Sequence, residues 1–389
     1  MKSNYDPLGK HIRLVDYRNS EEVTSTVLGI SIDKEFMPSV ANVIGTDLSR
    51  YKLISKGLFA CNPMHVGRDE RLPIALYEKD SPAIVSPAYF MFEIIDRDVL
   101  NEEYLMMWFR RPEFDRECWF MTDGSVRGGI TWDDLCRIKL PVPSYARQCE
   151  IVESYRAITD RIALKRAEND NLEATAQAVF QEQFASFYGA DELPDGYRII
   201  NLDNLCTVKG GKRLPADCKL LDTPTDHPYI RVRDVGSNRY VCLTNQFQYI
   251  DEETYSAISR YIVNTGDIVI SIVGTIGLLG KIHSSLDKAN LTENCVKLAN
   301  IHTVTSDYLY YTLCYKKQIK EIDLLTVGAV QAKLPMYNIQ SMKILVPPTK
   351  AIEAFQRKMN VLNEQIEANT VEIQKLYELE EVLLAKLSD

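Results

Sequence analysis

The sequence predicts an α+β protein assembled from two similar halves. Each half is a mixed α/β domain followed by a long helix, and the two helices are expected to pair as an antiparallel coiled coil with pseudo-two-fold symmetry. Three observations predict this. The stretch 146–184 carries apolar residues at heptad spacing, a second such stretch closes the chain, and a constant offset of 204 residues relates the two. The expected order is domain one over 1–143, spacer helix one over 144–187, domain two over 188–348 and spacer helix two over 349–389.

The first seam runs Ile151, Tyr155, Ile158, Ile162, Lys165, Asn169, Leu172, Ala176 and Val179, at alternating spacings of 4 and 3. That spacing marks one face of a helix which packs on another helix. No Pro or Gly interrupts it. In domain one, Val27–Ile32, Ile74–Tyr77 and Tyr89–Ile95 read as strands, and Asn101–Phe109 as a helix capped by Asn101. Leu140-Pro-Val-Pro143 is extended, because each proline keeps its predecessor out of the helical region. In domain two, Tyr229–Val232, Tyr240–Leu243, Ile268–Ile272 and Cys295–Ala299 read as strands, and Ser306–Cys314 as a helix with Ser306 as its cap.

The offset of 204 holds without a gap from Tyr104 to Phe184. Tyr104-Leu105 falls on Tyr308-Leu309, Gly124-Ser-Val126 on Gly328-Ala-Val330, and Lys139-Leu-Pro-Val-Pro143 on Lys343-Ile-Leu-Val-Pro347. The seam residues Ile151, Tyr155, Ile158, Ile162, Leu172 and Val179 fall on Phe355, Met359, Leu362, Ile366, Leu376 and Leu383. A shared glycine turn, a Val-Pro approach and one heptad frame together signal an internal duplication. A helix of about 40 residues is a rod of about 60 Å. An antiparallel pair would put the two domains at opposite ends of it, a ruler suited to a bipartite linear target such as DNA. The polar seam members Lys165, Asn169 and Asn369 either set register or sit where the seam is open or meets another protein.

Composition sets outer bounds. The 389 residues are 46% hydrophobic and 25% charged, which is ordinary for a globular protein. The apolar runs are strand-length, too short to span a membrane, and the first residues lack the apolar core of a secretory signal. Nine scattered cysteines without a CxxC pair argue against a disulfide framework or a zinc site, so a cytoplasmic protein with reduced thiols is expected. The net charge of −9 decides nothing about a nucleic-acid partner, because the helix-bearing segments are the most acidic for their length: residues 144–200 hold 6 Lys/Arg against 10 Asp/Glu.

With these residues in view, the chain resembles the specificity (S) subunits of type I restriction-modification systems over essentially its whole length. The resemblance rests on Gly328-Ala-Val-Gln331, on Leu140-Pro-Val-Pro143 and Ile344-Leu-Val-Pro-Pro348, and on the long helices behind them. Tyr229-Ile-Arg-Val-Arg-Asp234, the run Asn264 to Gly277, Asn62-Pro-Met64 and Ser86-Pro-Ala-Tyr89 also resemble the family. Arg127 stands where the glycine turn usually carries Gln. The resemblance implies two target-recognition domains, each reading one half of a split, asymmetric site in double-stranded DNA. It implies paired helices that set the unread spacer and dock two methyltransferase (M) subunits. S-adenosylmethionine is then expected on those subunits, which methylate adenine, and ATP and Mg on restriction/translocase (R) subunits. No cofactor, metal or catalytic residue is expected in this chain, and no membrane partner.

The residues agree that chemistry lies elsewhere. Gly274-Thr-Ile-Gly-Leu-Leu-Gly-Lys281 lacks the spacing of a phosphate loop and reads as a hairpin turn. Met64 breaks the Asn-Pro-Pro-aromatic pattern that Asn62-Pro63 begins. Cys61 and His65, four apart, make only a lone pair of potential ligands. Base reading needs Arg, Lys, Asn or Gln over a layer of phosphate contacts. The candidates are Arg50, Lys52, Arg68, Arg71 and Arg127 in domain one. In domain two they are Lys209, Lys212, Arg213, Arg231, Arg233, Asn238 and Arg239. Lys209-Gly-Gly-Lys-Arg213 reads as a flexible basic loop, either following a phosphate backbone or simply solvated. Arg231 and Arg233 alternate along a strand-like run and so share a face. The alternatives are an acidic coiled-coil adaptor with two protein-binding domains, and a fused methyltransferase-nuclease.

Overall fold

The computed structural model describes residues 5–39, 45–64, 66–122, 128–236, 239–244, 247–328 and 332–388. The chain divides into two compact units, Met1–Leu164 with Lys375–Asp389, and Lys165–Gln374. Both long helices, Tyr145–Phe184 and Thr349–Ala385, contribute to both units.

In the first unit, four antiparallel strands lie in the order Ile12–Leu14, Phe90–Ile94, Phe59–Cys61, Ile74–Leu76. A second sheet orders Phe36–Pro38, Val27–Ile30, Ala83–Val85 and Lys52–Ile54. The strand Ile74–Leu76 begins just after Pro73, which has no amide to give a ladder. Asn101 caps the helix Glu102–Phe109 by accepting from the amides of Glu103 and Tyr104. That helix has six buried residues in a row, Tyr104 to Phe109, and is enclosed on all sides. The core gathers Phe59, Phe92, Phe109 and Phe114, and Val152 and Tyr155 of the first long helix join it with Leu384 and Leu387. Tyr155 donates to Glu380 across the helix pair at 2.7 Å.

The second unit repeats the plan. Its main sheet orders Thr207–Gly210, Cys295–Ala299, Ile268–Ser271 and Leu279–Ile282, again antiparallel, and adds Tyr240–Val241 in parallel at the edge. The hairpin expected at Gly274 joins the third and fourth of these strands. A three-stranded sheet orders Gln248–Tyr249, Pro228–Ile230 and Asn290–Leu291. Helix Ser306–Leu313 corresponds to Glu102–Phe109, Lys316–Leu325 to Pro112–Phe120, Met336–Ser341 to Trp132–Arg137, and Thr349–Ala385 to Tyr145–Phe184. All four pairs start 204 residues apart. A side-chain bond repeats at the same offset: Tyr104 donates to the carbonyl of Pro141 at 3.1 Å, and Tyr308 to that of Leu345 at 2.7 Å. Each ties its helix to the strand that leads into the long helix.

Two local expectations are corrected. The cap of Ser306–Leu313 is Thr305, whose hydroxyl accepts from the Tyr308 amide; Ser306 instead donates to the carbonyl of Gly266 at 2.7 Å. Neighbouring hydroxyls compete for a cap, and the backbone geometry selects one. The segment Lys209–Arg213 is not a free loop. Lys209 and Gly210 end a strand, and the amides of Gly211 and Lys212 bond the carbonyls of Cys295 and Leu291. A Cβ on Gly211 would come within 2.0 Å of the Thr292 carbonyl oxygen, so only glycine lets the two backbones approach.

In the second unit the long helices run antiparallel, Phe180 and Phe184 meeting Phe355 while Lys165 and Asn169 meet Asn369. Leu172, Leu362, Ile366 and Met359 are buried or half-buried on this seam; in the first unit Ile151, Tyr155, Ile158, Ile162, Leu376 and Leu383 are likewise. Asn369, 1% exposed, donates to Asn169 at 2.9 Å and accepts from Lys165 at 2.9 Å and Gln365 at 3.0 Å. The polar members therefore satisfy one another, which lets a buried layer specify register. Asn369→Ala removes the amide that Asn169 and Lys165 share, leaves Lys165 with Glu168 at 2.9 Å, and is expected to lower stability by about 1–3 kcal/mol, read from urea denaturation.

Candidate nucleic-acid interface

A DNA-reading surface must offer cations and amides that the fold has not already used. The candidates divide sharply on this test. Arg127 and Asn238 lie outside the described residues, as do Gly124-Ser-Val126, Ala329-Val-Gln331 and His65. Arg50, Arg68 and Arg71 are exposed in the first unit. Arg68 is held by Asp69 at 2.7 and 2.8 Å, and Arg71 by Asp33 at 3.3 Å. Lys52 is buried, its ammonium donating to the Tyr89 carbonyl at 2.7 Å with Asp16 at 3.7 Å. Burial lowers its pKa, against the pull of Asp16.

In the second unit Lys209, Lys212, Arg213 and Arg233 are exposed, Arg213 paired with Glu293 at 2.7 Å. The expected alternation of Arg231 and Arg233 on a strand is corrected. The strand ends at Ile230, and Val232–Asp234 form a 3-10 turn that Arg231 precedes. Arg231 folds back onto Asp234 through a two-pronged contact of 2.9 and 3.0 Å and also donates to Gln248. It shapes the loop, and Arg233 alone of the two projects outward.

Arg239 is the clearest correction. It is 5% exposed and forms the centre of an ionic cluster that no spacing in the sequence announces. Its guanidinium donates to Asp307 and to the Tyr311 hydroxyl at 2.9 Å, and packs over the rings of Tyr240, Tyr310 and Tyr311. Asp307, 3% exposed, also accepts from Lys281 at 2.6 Å, Gln356 at 2.6 Å and Asn363 at 2.8 Å. Tyr311 donates to Glu173 at 2.9 Å. Glu173 belongs to the first long helix, and Gln356 and Asn363 to the second. The cluster thus clamps the globular part of this unit onto both helices. His283 adds a 2.7 Å contact to Glu367, and Gln374 donates to the Leu243 carbonyl at 2.7 Å.

Burial alone would raise the Asp307 carboxyl, but Lys281 and Arg239 beside it outweigh that and hold it down to about 2. Burial raises Glu173, against Arg239, and lowers Lys281, against Asp307. The first unit holds the same position differently. Glu103, equivalent to Asp307 at the offset of 204, pairs with Arg156 of the first long helix, and both are solvent-accessible.

A duplicated α+β module on paired heptad helices is the class of protein that this geometry defines. Residues 194–382 match the type I restriction modification DNA specificity domain. The chain is 20% identical to the type I restriction enzyme HindI specificity subunit of Haemophilus influenzae, covering 96% of this chain and 95% of that protein. It is 22% identical to the MjaIX specificity subunit of Methanocaldococcus jannaschii, over 76% of this chain and 70% of the relative. The solved S subunit of a type I restriction-modification system from M. genitalium shares the fold, with a TM-score of 0.50 and 14% identity over 99% of this chain and 96% of that one. The second half of the chain thus matches the specificity domain of type I restriction-modification systems, and the whole chain is similar to their specificity subunits. Among the described residues no helix is long and apolar enough to cross a membrane.

Asp307→Asn takes the shared carboxylate from Lys281 and Arg239, leaving Arg239 only Glu173 at 3.9 Å, and is expected to cost about 3–5 kcal/mol. Glu103→Gln, at an accessible pair, is expected to cost at most about 1 kcal/mol. Because the folded value of Asp307 lies below the ordinary 3.8, its contribution is complete above about pH 4 and is lost as pH falls toward 2. Chemical denaturation of the three proteins across that range reads both effects.

Proposed function

We propose that this chain is the non-catalytic, sequence-reading subunit of a type I restriction-modification complex. Its two globular parts each read one half of a bipartite, asymmetric site in double-stranded DNA, and the long helices set the unread spacer. Two methyltransferase subunits dock on it and bring the S-adenosylmethionine for adenine methylation. Restriction/translocase subunits bring ATP and Mg. The work takes place in the cytoplasm.

The observation that carries this reading is the duplication. Two modules that share four strands of the main sheet in the same order and the same helix starts, yet carry different side chains on their surfaces, suit two different half-sites. Exposed cations at Arg50, Arg68 and Arg71, and at Lys209, Lys212, Arg213 and Arg233, supply phosphate or base contacts. The long helices support docking of partner helices. Beyond the buried seam, Ala157, Leu164 and Ala167 on the first and Val361, Ala368 and Val371 on the second form an exposed apolar stripe in one shared frame.

The net charge of −9 favours a second reading, an adaptor that binds only proteins. Electrophoretic mobility shift of the chain with its cognate methyltransferase subunit separates the two. Retardation of genomic fragments bearing the site over random duplexes supports DNA reading, and equal behaviour of both overturns it. The methylome of a cell carrying the system is expected to reveal one split adenine-methylated motif. Deleting one heptad from each long helix is expected to shorten the spacer in that motif and leave both half-sites as they were.

A further inference from the structure

Two helices end on large apolar side chains that lie open to solvent. Phe120 closes the helix Pro112–Phe120, and Leu324 lies one residue before the end of Lys316–Leu325. Each is 85% exposed, more than any other large hydrophobic residue among those described. Single exposed apolar residues are ordinary. These two, however, occupy equivalent positions at the offset of 204, and their neighbours match as well. Arg116 and Lys320 stand four residues before them, and Glu117 and Glu321 three residues before. Helical spacing turns a cation, a carboxylate and a large apolar group onto one face in both units. All six side chains are exposed or half-exposed, and Arg116 also pairs with Glu113 at 3.0 Å.

Packing accounts for the alternate positions, where Cys118 and Ile322 are buried in their cores. It does not account for a matching exposed triad. Surfaces that read different half-sites have to diverge, whereas surfaces that meet the same partner twice have to stay alike. The carboxylates also repel a phosphate backbone, which disfavours DNA as the occupant. We propose that these two faces are anchor points for two identical copies of one protein partner, which receives Phe120 or Leu324 in an apolar socket ringed by complementary charge. This inference rests on the reading above, in which two methyltransferase subunits join one chain.

The test uses the full chain co-expressed with its methyltransferase subunit, with copies per chain read by native mass spectrometry. The unaltered chain is expected to carry two copies. Phe120→Asp or Leu324→Asp is expected to leave one, with binding at the altered face weakened by about tenfold or more, and the double variant none. Phe120→Leu and Leu324→Phe, which exchange the residues of the two units, are expected to keep both copies. Should an Asp variant lower the thermal midpoint, Phe120→Ser and Leu324→Ser make the same test. A double variant that still carries two copies at unchanged affinity overturns the proposal and leaves the functional reading standing. Unchanged stoichiometry with weakened DNA binding assigns the faces to DNA and equally overturns it. An unaltered chain that takes fewer than two copies overturns the reading and this proposal together.

Discussion

An apolar seam of heptad spacing along a forty-residue helix has to be covered, and the rest of this structure follows from how that is done. The chain carries two such helices, and each covers the other in antiparallel pairing. Because each long helix contributes to both compact units, the C-terminal residues Leu384 and Leu387 complete the core that the N-terminal residues begin. The first unit is therefore assembled from two separate segments of sequence, and the second lies between them. The layer of Lys165, Asn169 and Asn369 then limits sliding, since a shift of one heptad would part Asn369 from both Lys165 and Asn169.

The globular parts are fastened to the helices by one device used twice in different dielectric settings. An acidic residue in the first turn of a buried helix reaches the long helix beside it. In the first unit this is Glu103 with Arg156, open to water and therefore screened by salt. In the second it is Asp307 with Arg239, Lys281, Gln356 and Asn363, closed off and supported by Tyr311 and Glu173. Burying so many charged groups is costly, and only their mutual satisfaction offsets it. The duplicated topology is thus preserved while the strength of the fastening differs between the copies.

Much of the architecture was legible because it rests on local rules. Asn101 is a cap wherever its helix lies, Pro73 and Pro141 keep their segments extended, and a period of 3.5 identifies a seam. The candidate DNA-reading residues were less legible. Arg231, Arg239 and Lys52 look in sequence like Arg233 and Lys209, yet the first three are spent on Asp234, on Asp307 and on the Tyr89 carbonyl. Charge alone does not say whether a basic side chain has an internal partner. Asp307 lies 68 residues from Arg239, and no periodicity links positions that far apart.

By itself, then, the sequence determined the duplication, the helix frame and the family that the chain resembles, because repetition and periodicity are properties of residue order. Tertiary structure decided which cations remain free, which hydroxyl caps Ser306–Leu313, and why Gly211 must be glycine. Each of those depends on what a distant segment brings within a few ångströms, and that proximity is created only by the packed core.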